Sequence, residues 1–274
     1  MSFRLAAVQP RSHTGADEAR NVTDALRWLD EAHAAGADLV LFPEGYPGPT
    51  NPHNDFDALT PLSARAAELG LHVVAGAIEP AGDGRHHVVL HLIDDRGVVA
   101  DPYRRTTPAG PYIYGDIDAW GFDYVAADAP PAVLDTRLGP IGLLVCSEVY
   151  VPELARSLAL AGAETILFPA GGAINELLPS WRTMVWARAI ENLVHTAAVQ
   201  NLYAADEEGV GLIAAPEGVL AQSPSEGLIV ADLDRERLAF LRTRDERIEF
   251  PKPYRTIPGL GRWRRPELYR SLTR

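Results

Sequence analysis

The sequence predicts an α/β fold built from layers of helices and sheets. Segments in which apolar residues recur at helical spacing alternate with short apolar runs that are typical of strands. Two of these runs nearly repeat each other, GADLVLFPEG at 36–45 and GAETILFPAG at 162–171. The chain has 274 residues, of which 47% are hydrophobic, so it is long enough to bury a large core. A layered fold with two similar halves accounts for all three observations.

The first half of the chain begins with an apolar segment, RLAAVQP, that is typical of a strand. Residues 16–35 then carry apolar side chains at helical spacing, and a glycine ends this helix. DLVLFPE is a short buried strand that Pro43 terminates. The next predicted elements are a helix that follows Pro61 and ends near Gly70, a strand HVVAGAIE, and a hairpin formed by HHVVLHLID and VVADPYR.

The second half continues the alternation of strands and helices. The predicted elements are a strand IGLLVCSE, a helix over 151–161, a strand TILFPAG, a helix over 181–194, a strand HTAAVQN, and short strands to about residue 233. No glycine-, serine- or proline-rich linker divides the chain, so we expect a single domain over 1–274. Residues 245–274 carry little periodicity, and we expect them to form an extended C-terminal tail that packs on a partner subunit.

Charge and composition narrow the class of protein. The net charge of −12 argues against a nucleic-acid partner, because binding to phosphates requires a basic surface. No apolar run approaches the roughly 18 residues of a membrane span, and the N-terminus does not resemble a secretion signal. Cys146 is the single cysteine, so an internal disulfide is excluded and a reducing compartment is favoured. We expect a cytoplasmic protein without a membrane or nucleic-acid partner.

A metal site or nucleotide cofactor is not predicted. His87 and His91 are four residues apart on a predicted strand, which separates them by roughly 13 Å along one face. The remaining histidines are scattered, and one cysteine does not build a zinc site. The sequence contains neither a glycine-rich phosphate loop nor a GxSxG nucleophile elbow. We therefore expect neither a metal nor a nucleotide cofactor.

Two reactive side chains follow predicted buried strands. Glu44 stands where the second copy of the near-repeat has Ala170, so the strand-and-proline pattern does not itself require a carboxylate. Glu44 has two interpretations, a cap for the following turn or a ligand-site carboxylate at a strand end. Cys146 is either inert packing or a thiol that the start of the next helix activates. If the two strand ends are neighbours, they supply a nucleophile with an adjacent base.

Four segments, in this order and at these separations, resemble the nitrilase superfamily of carbon–nitrogen hydrolases. They are LFPEGYPG, PYRRTTP, IGLLVCSEVYVPELARSLALAGAE and WARAIENLVHTAAVQN, and the resemblance extends from about residue 3 to about residue 242. It implies a four-layer α-β-β-α sandwich that pairs into a homodimer, or a higher homo-oligomer, through the helical layer next to the nucleophile. It also implies catalysis by a glutamate, a lysine and a cysteine without a cofactor.

The resemblance assigns roles residue by residue, with one departure. Glu44 matches the general base, Cys146 the nucleophile, and the backbone N–H of Ser147 an oxyanion donor. The catalytic lysine of the family belongs at the position that Arg105 occupies here. The only lysine, Lys252, lies in the predicted tail outside every matching motif and is a poor substitute.

Many family members also carry a second glutamate soon after the lysine, and this sequence has none in that window. Asp116 is a candidate replacement if the loop is shifted. Glu148 is a second candidate, although its position two residues after the cysteine favours a role in orienting the turn. Aromatic side chains near the motifs are candidates for binding the substrate, namely Tyr46, Tyr112, Tyr114 and Tyr150.

The function implied by the resemblance is hydrolysis of a small amide, carbamoyl or nitrile compound through a cysteine thioester. Arg105 retains the positive charge of a lysine but does not release a proton, and it is able to clamp Glu44 through two hydrogen bonds. Two alternatives follow from this substitution. Either an amine rather than water resolves the thioester, or the protein is a catalytically silent binding or regulatory relative.

Overall fold

A computed structural model describes residues 2–51, 53–82, 84–107, 124–172, 175–242 and 264–269. The strands in these residues are β1 (Ser2–Gln9), β2 (Leu39–Leu41), β3 (His72–Pro80), β4 (His86–Ile93), β5 (Tyr103–Arg104), β6 (Val133–Thr136), β7 (Gly139–Leu143), β8 (Thr165–Ala170), β9 (His195–Gln200), β10 (Leu212–Ala215), β11 (Gly218–Gln222) and β12 (Gly227–Asp234). The α-helices are α1 (Arg20–Ala34), α2 (Leu59–Leu69), α3 (Pro152–Leu160), α4 (Leu178–Asn192) and α5 (Arg235–Arg242). Short 3-10 turns cover Gly15–Asp17, Cys146–Tyr150, Asn175–Leu177 and Pro266–Leu268.

The strands form two six-stranded sheets with matching layouts. The first has the order β12-β1-β2-β3-β4-β5, and the second has the order β11-β10-β9-β8-β7-β6. In each sheet three parallel strands are flanked on both sides by antiparallel strands. The two copies of the near-repeat form β2 and β8, which are the central strands of the two parallel triplets. The prediction of two similar halves is thus explained by equivalent positions in two sheets.

The alternation of side chains in β1 separates the layers. Leu5 and Ala7 face the core between the two sheets, whereas Ala6 and Val8 face a second core against α1 and α2. The inter-sheet core continues through the second sheet to the apolar faces of α3 and α4, where Val185 is fully buried. The result is the predicted four-layer α-β-β-α sandwich.

Several element boundaries differ from the sequence prediction. The helix expected from residue 16 begins at Arg20, because a 3-10 turn occupies the preceding residues. The second helix begins before Pro61 rather than after it, since a proline is tolerated in the first turn, where its missing N–H has no partner. The strand expected to run through Cys146 ends at Leu143, where its pairing with β8 also ends.

The predicted C-terminal tail falls mostly outside the described residues, as does Lys252. Its described part, residues 264–269, contains one short 3-10 turn. Within the described ranges, no helix combines the length and the apolar character that crossing a membrane requires.

Gly76 in β3 is the point where the turn after β2 rests on the first sheet. A Cβ atom at this position would lie 2.3 Å from the backbone nitrogen of Gly45 and 2.8 Å from the carbonyl oxygen of Pro43. The Gly76 N–H donates to the carbonyl oxygen of Tyr46 at 2.7 Å. The absence of a side chain at Gly76 therefore sets the position of the turn that carries Glu44.

We predict that Gly76→Ala destabilises the protein by about 3 kcal/mol, because the added methyl group meets backbone atoms that have no room to move. Thermal and urea unfolding measure the effect. Gly218→Ala is the matched control, since its Cβ would have no atom within 4 Å, and its stability should be unchanged. Equal stabilities for the two variants would contradict this account of the turn.

Candidate active site

The polar residues of the candidate site come from strand ends that meet at one edge of the sandwich. The carboxyl ends of parallel strands share an edge of their sheet, which is where open α/β sheets bind ligands. Each of the central residues follows a different strand: Glu44 comes after β2, Arg105 after β5, Cys146 after β7, Gly171 after β8 and Asn201 after β9. The packing of the two sheets brings these five segments together.

Glu44 and Arg105 form an ion pair that is largely removed from solvent. Arg105 Nη1 donates to Glu44 Oε1 at 3.2 Å, and the side chains are 3% exposed for the arginine and 15% for the glutamate. The other carboxylate oxygen, Oε2, accepts the backbone N–H of Gly171 at 2.7 Å. The arginine therefore does not clamp the carboxylate through both of its oxygens. Of the two orientations open to Arg105, toward the site or toward solvent, the structure has the first.

The remaining nitrogens of the guanidinium are also engaged. Nη2 of Arg105 donates to Ser147 Oγ, and Nε donates to the carbonyl oxygen of Thr107 at 3.2 Å. Burial lowers the pKa of Arg105, but the charges of Glu44 and Glu148, and that of Cys146 once it ionises at high pH, outweigh this effect, so the net pKa is raised. Arg105 is a fixed positive charge that does not exchange its proton.

Cys146 opens the 3-10 turn after β7 in a strained backbone conformation. It is one of two non-glycine residues with a positive φ in the described structure, at 51°. Burial raises the pKa of the Cys146 thiol to about 12, and the charge of Glu44 acts in the same direction. Arg105 and the backbone N–H of Gly171 act in the opposite direction without cancelling this. The thiol is therefore protonated near neutral pH and needs a base to become a nucleophile.

Glu148 links the turn that carries Cys146 to the loop that carries Arg105. It is 0% exposed. Its Oε2 accepts the N–H of Val145 at 2.7 Å and the hydroxyl of Tyr103 at 2.6 Å. Its Oε1 accepts the N–H and hydroxyl of Thr106 at 2.8 and 2.7 Å and the N–H of Thr107 at 3.2 Å. All these contacts are to backbone or to structural hydroxyls, which fits the interpretation that Glu148 orients the turn.

The sequence patterns did not single out Asn201, Tyr203 or Tyr124. Asn201 Nδ2 donates to the carbonyl oxygens of Glu44, at 2.9 Å, and Gly171, at 3.1 Å, and so ties the ends of the two near-repeats together. The hydroxyl of Tyr203 donates to the same Gly171 oxygen at 3.3 Å. Burial, and after it the charge of Glu44, raise the pKa of Tyr124. Asn201 is the last residue of a motif that resembles the family, and this was the only feature of the sequence that pointed to it.

The predicted substrate-binding tyrosines have different outcomes. Tyr46 is 1% exposed and packs on Phe42, with ring centroids 5.3 Å apart, in the core between the first sheet and α1 and α2. The prediction for Tyr46 is wrong, because its side chain points to the opposite face of the sheet from the site. Tyr150 is 46% exposed and meets the ring of Trp181 edge-on. Tyr112, Tyr114 and Asp116 lie outside the described residues.

Metal ligands do not cluster in the described structure. No group of three or more histidine, cysteine, aspartate or glutamate side chains there has an arrangement that could hold a metal ion.

Comparison with known proteins identifies the family. The sequence profile of the carbon–nitrogen hydrolase family matches residues 4–243. The chain therefore belongs to the carbon–nitrogen hydrolase family, as its motifs predicted. A hydrolase of Mycobacterium tuberculosis is 30% identical over 91% of this chain and 98% of that protein. An N-carbamoylputrescine amidase of Arabidopsis thaliana is 26% identical, with 93% of this chain and 91% of that protein covered.

Solved structures show the same fold. A carbon–nitrogen hydrolase from Helicobacter pylori G27 superposes with a TM-score of 0.82 at 21% identity, covering 100% of this chain and 99% of that one. An amidase of the nitrilase superfamily from Nesterenkonia sp. AN1 gives a TM-score of 0.76 at 24% identity, covering 98% and 97%. The predicted nitrilase-type sandwich is thereby confirmed.

We predict that the thiolate of Cys146 forms only as the pH approaches 12, well above its ordinary pKa of 9.0. The thiolate absorbance, taken as a difference from Cys146→Ala so that tyrosine ionisation cancels, measures this. Because the folded pKa is the higher one, the thiol's contribution to stability is complete below pH 9 and is lost between pH 9 and 12. Ionisation at or below pH 9 would refute the proposed electrostatics of the site.

We predict that Glu148→Gln lowers the free energy of unfolding by about 3 kcal/mol, because the amide that replaces one oxygen leaves buried donors without an acceptor. Urea unfolding measures the loss. Glu153→Gln, an exposed position on α3, is the matched control and should lie within about 0.5 kcal/mol of the unaltered protein. A loss at Glu148 no larger than at Glu153 would exclude the linking role.

Proposed function

We propose that the protein hydrolyses a carbon–nitrogen bond in a small amide or carbamoyl compound through a thioester at Cys146. The observation that supports this most directly is the joint burial of a carboxylate, a guanidinium and a thiol at the strand ends. In this proposal Glu44 is the general base and Cys146 the nucleophile. Arg105 and the backbone N–H of Ser147 hold the oxyanion.

The first step follows from the protonated resting state of the thiol. Glu44 takes the thiol proton as the sulphur of Cys146 attacks the carbonyl carbon, and the carbonyl electron pair moves to oxygen. Because burial raises the pKa of the thiol to about 12, sulphur attack and proton transfer to Glu44 are coupled. The Gly171 N–H orients one carboxylate oxygen of Glu44, and the other oxygen faces Arg105.

The tetrahedral intermediate then collapses. The carbon–nitrogen bond breaks, and the nitrogen leaves with the proton that Glu44 returns to it. The thioester is released by water, whose proton goes to Glu44 while the oxygen bonds to carbon. The acid leaves and the thiol is restored with that proton. Arg105 does not give up a proton at any step, so each proton transfer passes through Glu44.

Arg105 supplies charge to the developing oxyanion. Donors aimed at such an oxygen contribute roughly 10²–10³ in rate in comparable sites. Arg105 suits this role because it is charged, buried and held by Ser147 and Thr107. The difference from a lysine is that the guanidinium spans two partners, while an ammonium is a point charge.

The relatives support an amide or carbamoyl substrate. They include an N-carbamoylputrescine amidase and an omega-amidase from Bos taurus. The Nesterenkonia amidase has been solved with the acetamide moiety of fluoroacetamide added covalently at its active-site cysteine, and in complex with acrylamide or butyramide. These three ligands are all small primary amides.

The remaining expectations from the sequence stay predictions. They are the single domain over 1–274, the cytoplasmic location, and the homodimer or higher homo-oligomer paired through the layer of α3 and α4.

The proposal is tested by ammonia release from a panel of primary amides and carbamoyl compounds. We expect turnover by the unaltered protein, none by Cys146→Ala, and a loss of about 10²–10³ in kcat/KM for Arg105→Ala. Arg105→Lys, which retains the charge, should lose less. Arg104→Ala removes the neighbouring arginine, which is 43% exposed and pairs with Glu79, and should leave the rate within about twofold.

Two outcomes would replace hydrolysis with an alternative. An acyl adduct on Cys146, detected by intact mass, that turns over only when an amine is added would establish a transferase. The absence of both ammonia and any adduct across the panel would indicate a silent relative that acts by binding.

A further inference from the structure

The side chain of Ser147 is a partner of the guanidinium that the resemblance does not assign. The family pattern gives this residue only its backbone N–H, yet its hydroxyl oxygen accepts a hydrogen bond from Arg105 Nη2. The neighbouring nitrogen, Nη1, donates to Glu44. The two terminal nitrogens of one guanidinium are thus divided between the carboxylate and the serine beside the nucleophile.

This division matters because a guanidinium and a carboxylate favour a two-bond pairing. Such a pairing would place both terminal nitrogens on Glu44 and compete for the oxygens that accept protons during catalysis. Ser147 Oγ provides the second nitrogen with a different acceptor. Its position in the turn directly after Cys146 holds that nitrogen on the nucleophile side of the site.

We infer that Ser147 is a positioning residue whose hydroxyl keeps Arg105 directed at the oxyanion and prevents it from closing on Glu44. This inference rests on the proposed function and names a further residue on which binding of the oxyanion depends. A lysine at position 105 would carry a single ammonium and would have no second nitrogen to anchor. The hydroxyl of Ser147 therefore matters when residue 105 is arginine and matters little when it is lysine.

Binding of butyraldehyde isolates this effect from turnover. The sulphur of Cys146 bonds to the aldehyde carbon, the carbonyl electron pair moves to oxygen, and the thiol proton goes to Glu44. The resulting hemithioacetal carries an oxyanion but has no leaving group, so it reports the strength of the oxyanion site. Its affinity is measured from the protection of Cys146 against alkylation by iodoacetamide, read by intact mass.

The experiment compares Ser147→Ala with Ser147→Thr, each in the Arg105 protein and in Arg105→Lys. We expect Ser147→Ala to weaken butyraldehyde binding about tenfold when residue 105 is arginine and less than about twofold when it is lysine. Ser147→Thr, which keeps a hydroxyl, should restore most of the affinity. Ser157→Ala on α3, where the serine is exposed and bonds only to the helix backbone, should have no effect.

Opposite results overturn the inference. An equal loss for Ser147→Ala in both backgrounds would mean that the hydroxyl acts independently of Arg105, and no loss with arginine would mean that it positions nothing. Unchanged iodoacetamide labelling without aldehyde, together with an unchanged melting temperature, shows that the variants are folded. Aldehyde binding without ammonia release by the unaltered protein refutes the hydrolase proposal alone, whereas failure to bind the aldehyde at all contradicts both.

Discussion

The buried ion pair between Glu44 and Arg105 is the interaction on which the site depends. Removing two charges from water is costly, and the mutual attraction compensates only when further hydrogen bonds satisfy the remaining polar atoms. The structure supplies these from separate segments, with the Gly171 N–H on the carboxylate and Ser147 Oγ and the Thr107 carbonyl on the guanidinium. The ends of several strands are therefore held together by one charge pair and its partners.

The same pair also acts on the pKa of the Cys146 thiol. The thiol lies between a negative and a positive group whose effects on its pKa oppose each other, so burial decides the result. In the proposed mechanism the thiol stays protonated until Glu44 accepts its proton, so it reacts slowly with oxidants and alkylating agents, which require the thiolate. The proposal therefore expects Cys146 to react fastest when a carbonyl carbon is in place. Replacing an ammonium with a guanidinium preserves this balance, because both are positive at neutral pH.

Glu148 and Asn201 show how far position in the sequence is informative. Glu148, two residues after the cysteine, was expected to orient its turn, and the structure places it on five donors from both sides of the site. For Asn201 the only signal was its place at the end of a family-like motif, because its two acceptors are carbonyl oxygens distant in the chain. Tyr46 gave a misleading one. Tyr46 follows Glu44 closely in the sequence, yet its side chain lies in the core between the first sheet and the helices α1 and α2.

The sequence by itself determined the alternation of helices and strands, the two equivalent halves, the family and the residues at the strand ends. These follow from local periodicity and short motifs, which neighbouring residues carry. Only the tertiary structure decided that Arg105 points toward the candidate site and that its terminal nitrogens bond to Glu44 and Ser147. It also decided that the side chain of Tyr46 is buried away from the site. Each of these depends on contacts between segments that are far apart in the chain. The face of a sheet toward which a side chain points also reverses when the position shifts by one residue.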